Sequence, residues 1–387
     1  MKKIAIIGST GSIGTSLINI IKKDKKNFSI ELLTANKNYK KILEQTKYFN
    51  VKNIIIIDKK SFLNAKKILK KSNVNVYNNF DSFKKIFKNK KIDYTMSAIS
   101  GFHGLKPTLD IIKFTKIIAI ANKESIICGW NLIKKNLKKN NVKFIPIDSE
   151  HFSIWSLLGG IKNDNLEKIY LTASGGPFRK YPLKKFINIT PKKALKHPNW
   201  SMGKKISIDS ATMMNKVFEI IEAKKIFNLR YNQLKILIHP KSYLHAIVKY
   251  NNGLTKLLVH DTNMSIPIFN SIYLKDEKKI SSKTLDLEIL NNLELQPVNK
   301  LRFPLIKIID KLQNKDSLFE TVIVSANDSL VDLFLKNRIK YVDISTILLK
   351  IINKQDFSKY KKKSAKNIDE IIELSKYVSL KVQTYCV

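Results

Sequence analysis

Lys2-Lys-Ile-Ala-Ile-Ile-Gly8-Ser-Thr-Gly11-Ser-Ile-Gly14-Thr-Ser-Leu-Ile-Asn-Ile-Ile-Lys22 is the stretch that decides the fold. An apolar run, Ile4–Ile7, passes through a glycine loop into an amphipathic segment, Thr15–Lys23. Glycines there permit a tight turn and let backbone N–H groups approach a pyrophosphate at a helix N-terminus. The spacing is Gly-x-x-Gly-x-x-Gly, not the commoner Gly-x-Gly-x-x-Gly, so by itself it also reads as a structural turn. Strand, loop and helix in this order at the start of a doubly wound domain are the context a dinucleotide requires.

The alternation continues outward. Ile30–Thr34, Asn53–Ile57, Val74–Tyr77, Asp93–Ile99, Lys116–Ala121 and Lys143–Ile147 read as strands, with amphipathic segments such as Ser61–Lys71 between them. Near-continuous apolar strands alternating with helices imply a parallel, doubly wound sheet. The pattern then changes. Lys168–Ala173, Lys205–Ile208, Lys235–Ile238, Leu244–Lys249 and Leu254–Val259 read as strands of a second sheet, around one helix, Ala211–Asn228. Beyond residue 300 the signal is helical: Leu318–Lys336, Ile344–Asn353 and Ser364–Tyr377. The expected class is α/β: a Rossmann-like domain over 1–147, a central α+β catalytic domain over 148–270, a linker over 271–300, and a C-terminal helical domain over 301–387.

Composition bounds the function. The chain has 387 residues, 71 Lys+Arg against 31 Asp+Glu, and a formal net charge of +40. Such a charge invites a nucleic-acid partner. Only four of the basic residues are Arg (Arg179, Arg230, Arg302, Arg338), however, and the remaining 67 Lys are spread along the chain. Arg is the better reader of phosphate and base edges. Abundant Lys, Asn, Ile, Phe and Tyr, all with AT-rich codons, fit a mutationally biased genome, so no nucleic-acid partner is expected. Two cysteines, Cys128 and Cys386, exclude a disulfide scaffold. No apolar run approaches membrane-spanning length, and a strand at the N-terminus leaves no room for a leader; a cytoplasmic location with no membrane partner is expected.

The chemistry-bearing residues follow. The second strand ends Leu33-Thr34-Ala35-Asn36-Lys37-Asn38, without the acidic residue that holds an NAD ribose; a Lys and two amides suit the 2′-phosphate of NADP. Carboxylates are scarce, so Asp148-Ser-Glu150-His151 after the seventh strand stands out. In an extended segment Asp148 and Glu150 share a face, and Glu219 lies on the polar side of the 211–228 helix beside Asn215 and Lys216. Oxygen donors of this kind suit a hard divalent ion; a surface pair and a helix cap would look the same. Ser174-Gly-Gly-Pro177 and a helix opening at Ser210 have the character of phosphate loops, although Ser210 is equally an ordinary N-cap. The polar stretch 197–205, with Trp200 and Met202, reads as a lid, with simple packing of Trp200 as the alternative.

Gly8-Ser-Thr-Gly-Ser-Ile-Gly14, Ala121-Asn-Lys-Glu-Ser125, Asp148-Ser-Glu-His151, Ser174-Gly-Gly-Pro-Phe178, His197-Pro-Asn-Trp-Ser-Met-Gly203 and Asp209-Ser-Ala-Thr-Met-Met-Asn-Lys216 together resemble the 1-deoxy-D-xylulose 5-phosphate reductoisomerase family. The motifs run in the family's order over about residues 1–270. The resemblance implies an NADPH- and metal-dependent rearrangement and reduction of 1-deoxy-D-xylulose 5-phosphate to 2-C-methyl-D-erythritol 4-phosphate, with Mg²⁺, Mn²⁺ or Co²⁺, in a cytoplasmic homodimer. It implies that Thr10, Gly11, Ser12 and Ile13 hold the pyrophosphate, and that Asn36, Lys37 and Asn38 lie near the 2′-phosphate. Asn122, Glu124 and Gly203 complete the cofactor site. Asp148, Glu150 and Glu219 bind the metal. Lys123, Ser149, Glu150, Ser174, His197, Ser210, Asn215, Lys216 and Glu219 surround the phosphate substrate, and Trp200 and Met202 close over it. Lys123, Asp148, Glu150, Glu219 and His197 are the implied catalytic set. Two departures touch the cofactor side: Asn36 stands where a Gly is usual, and Gly101-Phe-His-Gly104 replaces a run of small residues. A plain NADP dehydrogenase would account for the glycine loop but not for the carboxylates and phosphate-type loops beside it.

Overall fold

β1 (Lys2–Ile7) lies inside a seven-stranded, all-parallel sheet with β2 (Phe28–Ala35), β3 (Asn53–Ile56), β4 (Asn75–Tyr77), β5 (Ile92–Ser97), β6 (Thr115–Ile120) and β7 (Lys143–Pro146), in the order 4-3-2-1-5-6-7. The computed structural model describes residues 1–88, 90–159, 165–200, 202–274 and 278–386; Ser201 of the lid stretch and residues 275–277 of the linker stretch lie outside the described residues. Ile4, Ala5, Ile6 and Ile7 are fully buried, as expected of a strand covered on both faces. Crossovers are made by α1 (Ser12–Lys23), α2 (Tyr39–Phe49), α3 (Lys59–Ile68), α4 (Phe83–Phe87), α5 (Leu105–Ile111) and α6 (Lys123–Asn140). Strand order reverses between β1 and β5, which puts the glycine loop at the switch point where α/β sheets bind ligands. The doubly wound parallel sheet expected from the sequence is present.

Two compact units emerge. The first comprises Met1–Ser125, Ile133–Phe152 and Met264–Ser281; the second comprises Ile126–Leu132, Ser153–Asn263 and Ser282–Val387. α7 (Ser149–Leu158) runs from one into the other. The second unit is built on a mixed sheet of β8 (Leu166–Ala173), β9 (Leu234–Ile238), β10 (Leu244–Tyr250), β11 (Thr255–Val259) and β12 (Gln296–Pro297), in the order 11-10-8-9-12. β8 and β9 are parallel and the other pairs antiparallel. Its helices are α8 (Pro191–Ala194), α9 (Lys204–Ala211), α10 (Met214–Ile226), α12 (Leu287–Asn291), α13 (Phe319–Leu335), α14 (Tyr341–Ile352), α15 (Gln355–Ser358) and α16 (Ile368–Cys386). α11 (Ser265–Ile272) belongs to the first unit.

Two sequence expectations are corrected. Lys205–Ile208 is helix, not strand. The expected helix Ala211–Asn228 is present as α10 but starts later, at Met214, because Ala211 is the last residue of the preceding helix α9. Met213 between them adopts a left-handed conformation, φ +63°, at a cost of about 1–3 kcal/mol for such backbone. Residues 271–300 contain α12 and β12, and β12 pairs with β9. The C-terminal helices match the helical segments read beyond residue 300. Phe178, Phe186, Phe334 and Tyr341 form an aromatic cluster there. Arg302 donates to Phe178 O at 2.8 Å and Tyr181 O at 2.6 Å.

Candidate active site

In the first unit the glycine loop is held from β2. Gly8 N–H donates to Thr34 Oγ1 at 2.8 Å, and Ser9 N–H donates to Thr34 O at 2.9 Å. A Cβ on Gly14 would lie 2.3 Å from Gly8 O and 2.6 Å from Ser9 Cα, so only glycine lets α1 start this close to the strand end. Gly11 differs, since its Cβ would meet nothing nearer than 3.6 Å. Packing within the described residues therefore does not require glycine at this position. α1 has no side-chain cap and no acidic residue in its first turn, which leaves its first N–H groups suited to an anion. α2 braces the loop: Gln45 Nε2 donates to Ser9 O at 3.1 Å, and Lys41 Nζ donates to Thr15 Oγ1 at 2.7 Å and Thr10 O at 3.3 Å.

At the end of β2, Asn36 and Lys37 are exposed. Asn38 caps α2, its Oδ1 accepting the Lys41 N–H at 3.2 Å. Asn122 caps α6 through Oδ1, and its Nδ2 donates to Ile99 O and, at 2.8 Å, to Gly101 O. It therefore pins the loop carrying the Phe102-His103 departure, in which Phe102 is half-buried and His103 exposed.

α7 starts directly after β7, so the extended-strand argument for Asp148 and Glu150 does not hold. Asp148 precedes the helix, its O accepting the Phe152 N–H at 2.8 Å, and Glu150 lies in the first turn. Lys123 Nζ bonds Asp148 Oδ2, and His151 Nδ1 lies 3.2 Å from Oδ1. Burial alone would raise the Asp148 carboxyl, but the Lys123 ammonium and the His151 contact override it and hold it well below the usual value. Asp148 is an anion in place. Ser149 donates to Glu150.

The second unit gathers Ser174, His197 and Ser210. Gly175 and Gly176 follow β8 with φ +81° and +65°, and a Cβ on Gly176 would lie 2.9 Å from Ser210 O. The double glycine thus seats the Ser174 loop against the end of α9. Ser210 sits in the last turn of α9, so the expected N-cap at Ser210 is corrected: no helix opens there. Ser174 Oγ accepts the Gly176 N–H and lies 3.1 Å from His197 Nε2. The Asn199 and Trp200 N–H groups donate to His197 Nδ1 at 3.2 and 2.9 Å. This network assigns the imidazole proton to Nε2, which donates to Ser174. Burial pushes His197 down to about 4, so the ring is neutral. Asn199 Nδ2 ties the lid stretch to Pro240 O at 2.7 Å and Ser242 Oγ at 2.8 Å. Trp200 packs edge-on at 6.2 Å against His245, which stacks on His260 at 3.7 Å. Met202 is half-buried and Gly203 exposed.

α10 presents Asn215, Lys216 and Glu219 in its first turns. Glu219 is 1% exposed and accepts from Asn215 Nδ2 and Lys216 Nζ. Asn215 Oδ1 has no partner among the described residues, an acceptor left for a ligand. The elbow between α9 and α10 is held from far along the chain. Asn327 donates to Asp209 at 2.7 Å and Tyr341 donates to Ala211 O at 2.6 Å, while Lys205, on α9 itself, adds a local bond to Asp209 at 2.9 Å. Sequence reasoning missed Lys41, Gln45, Asn199, Asn327 and Tyr341. Only Lys41 and Gln45 carried a signal, being one helical turn apart on the helix after the glycine loop.

Three family models match: 1-deoxy-D-xylulose 5-phosphate reductoisomerase over residues 4–129, the C-terminal domain of that enzyme over 144–227, and the DXP reductoisomerase C-terminal domain over 260–379. The 1-deoxy-D-xylulose 5-phosphate reductoisomerase of Pelagibacter ubique (strain HTCC1062) is 70% identical over 388 residues, covering 100% of both chains. That of Clostridium novyi (strain NT) is 39% identical over 96% of each. A crystal structure of DOX-P reductoisomerase with NADPH, fosmidomycin and magnesium superposes with a TM-score of 0.91 at 29% identity, over 100% of this chain and 98% of that one. The Zymomonas mobilis enzyme with NADPH superposes at 0.88 and 29% identity, over 100% and 99%.

Proposed function

The chain belongs to the 1-deoxy-D-xylulose 5-phosphate reductoisomerase family, and on that premise we propose how its residues divide the reaction. The activity is the NADPH- and divalent-metal-dependent conversion of 1-deoxy-D-xylulose 5-phosphate to 2-C-methyl-D-erythritol 4-phosphate, a step of isoprenoid precursor biosynthesis. When bound, the ion supplies Lewis-acid polarisation of substrate oxygens and the dinucleotide supplies the hydride.

Asp148, Glu150 and Glu219 are the ligands of the ion. The observation that supports this reading is the chemistry of the donors: in a chain so poor in acids, Asp148 and Glu150 stand together at the start of α7, and Glu219 is a buried carboxylate in the first turns of α10. The donors are all oxygens, which suits Mg²⁺ and Mn²⁺, with Co²⁺ as a third choice. Lys123 and His151 keep Asp148 charged, and Lys123, Ser149 and Glu150 face the substrate's oxygenated carbons. Ser174, His197, Ser210, Asn215 and Lys216 hold the phosphate end: the Ser174 hydroxyl, oriented by the His197 Nε2–H, the Lys216 ammonium and the Asn215 Nδ2 are donors. Anchoring at the phosphate helps assemble a closed site that excludes water. Trp200 and Met202 close over it. Thr10, Gly11, Ser12 and Ile13 hold the cofactor pyrophosphate, Lys37 with Asn36 and Asn38 the 2′-phosphate, and Asn122, Glu124 and Gly203 the rest. Space around a would-be Gly203 Cβ, with no atom within 4 Å, supports a close approach there. The working form is a cytoplasmic homodimer; among the described residues, no helix is long and apolar enough to cross a membrane.

Titration of Mn²⁺ followed by electron paramagnetic resonance tests the metal assignment. Glu219→Gln and Asp148→Asn should each weaken Mn²⁺ binding by at least about tenfold and abolish metal-dependent turnover. Unchanged Mn²⁺ affinity in both variants would reject the assigned ligands.

A further inference from the structure

We infer that Lys41 is a pyrophosphate-binding lysine of the dinucleotide site. The inference rests on the cofactor reading above and adds to it a residue outside the glycine loop and outside the 2′-phosphate segment.

Lys41 and Gln45 lie one turn apart on α2 and face the same loop. Gln45 is 6% exposed and holds Ser9 O. Lys41 is half-buried, and its ammonium is turned onto the loop: 2.7 Å from Thr15 Oγ1 and 3.3 Å from Thr10 O. Both partners are neutral. Among the described residues no carboxylate pairs with Lys41, whereas Lys106, Lys116, Lys123, Lys205 and Lys216 all have one. A cation taken partly out of water and given only neutral acceptors leaves a net positive field at the loop. That field falls where α1 opens without a side-chain cap or an acid, and where a Cβ on Gly11 would meet nothing nearer than Gly8 O at 3.6 Å. Thr10 precedes Gly11 and Thr15 lies in the first turn of α1, so the two contacts of Lys41 bracket the start of that helix. Lys37, by contrast, is exposed at the end of β2 and belongs to the ribose side.

The two lysines therefore answer to different phosphates. A pyrophosphate lysine binds NADPH and NADH alike, whereas a 2′-phosphate lysine distinguishes them. Fluorescence titration of NADPH and of NADH tests this on the full chain and on Lys41→Gln, Lys41→Arg and Lys37→Gln. Glutamine keeps a neutral donor for Thr10 and Thr15, so a mere brace survives that change and a charge effect does not. Lys41→Gln should weaken NADPH and NADH to the same extent, by about tenfold, and Lys41→Arg should recover most of the loss. Lys37→Gln should weaken NADPH selectively. Unchanged affinities in Lys41→Gln, or a loss confined to NADPH, would overturn the inference. If Lys37→Gln is silent as well, the placement of the cofactor itself fails, a distinct result. Thermal melting of each variant separates a binding loss from unfolding.

Discussion

The glycine loop and the elbow between α9 and α10 are both sharp turns, yet they were legible to very different degrees. In the loop, the hydrogen-bond partners named above are close in sequence, Thr34, Lys41 and Gln45 lying 25 to 36 residues away, and only the close approach of Gly8 to Ala98 reaches further. Its glycines state their purpose locally, through positive φ, close packing or open space. In the elbow, Asn327 lies 118 residues from Asp209, and Tyr341 lies 130 residues from Ala211. Nothing within ten residues of Met213 announces that a left-handed residue will sit there. A turn dictated by its own residues can be read from sequence, whereas a turn imposed by distant partners cannot.

The sharpest way to break this comparison is Gly14→Ala. The new Cβ would meet the loop backbone, and a backbone clash has little room to relax. The loss of unfolding free energy in urea should be about 3 kcal/mol or more. Gly11→Ala should leave stability nearly unchanged and weaken NADPH binding instead. If the two variants behave alike, the division between a packing glycine and a ligand glycine is wrong.

The strand reading of Lys205–Ile208 shows the limit from the other side. Lys-Lys-Ile-Ser-Ile-Asp alternates with period two, as a strand does. Packing against α13, from which Asn327 donates to Asp209, favours helix instead, and Lys205 adds an i,i+4 pair to Asp209 within α9. The parallel sheet, by contrast, needed no distant information, because apolar runs separated by amphipathic helices have one common solution. Among the proposed site residues, the carboxylates and the glycine-flanked serines stand out by type and spacing, while their roles come with the resemblance. Asn199 does not stand out, since its value lies in a turn at Pro240–Ser242 that has no signature of its own.

Asn199→Ala sharpens the comparison at intermediate size. It removes two hydrogen bonds that fix the lid stretch. At about 1 kcal/mol each, up to about 2 kcal/mol is lost, so the Michaelis constant for the phosphate substrate should rise by up to roughly thirtyfold, with a modest fall in thermal stability. Unaltered kinetics would return the loop to a passive connection.

The smallest effect concerns pH. His197 is held near 4, below its ordinary 6.5, by burial. The unfolded chain therefore binds a proton between these values that the folded chain does not. Its contribution to stability is present above pH 6.5 and is lost as pH falls toward about 4. His197→Asn places an acceptor where Nδ1 stood and cannot titrate, so the decline in stability across that window should become shallower. An identical pH slope in the variant would show that His197 is as solvated folded as unfolded.

The excess of positive charge looks different in this light. The proposed site draws on the scarce carboxylates, and only Lys37, Lys41, Lys123 and Lys216 among 67 lysines have assigned work. The others contribute at most a general field that favours anionic ligands.

One chain couples a metal-requiring rearrangement to a dinucleotide reduction. The direct measurement is NADPH oxidation at 340 nm in the metal-stripped enzyme, with 1-deoxy-D-xylulose 5-phosphate and with Mg²⁺ or Mn²⁺ added or withheld. The account predicts oxidation only when both substrate and ion are present, with 2-C-methyl-D-erythritol 4-phosphate as product. Substrate-dependent oxidation that proceeds at full rate in the metal-stripped enzyme would contradict it.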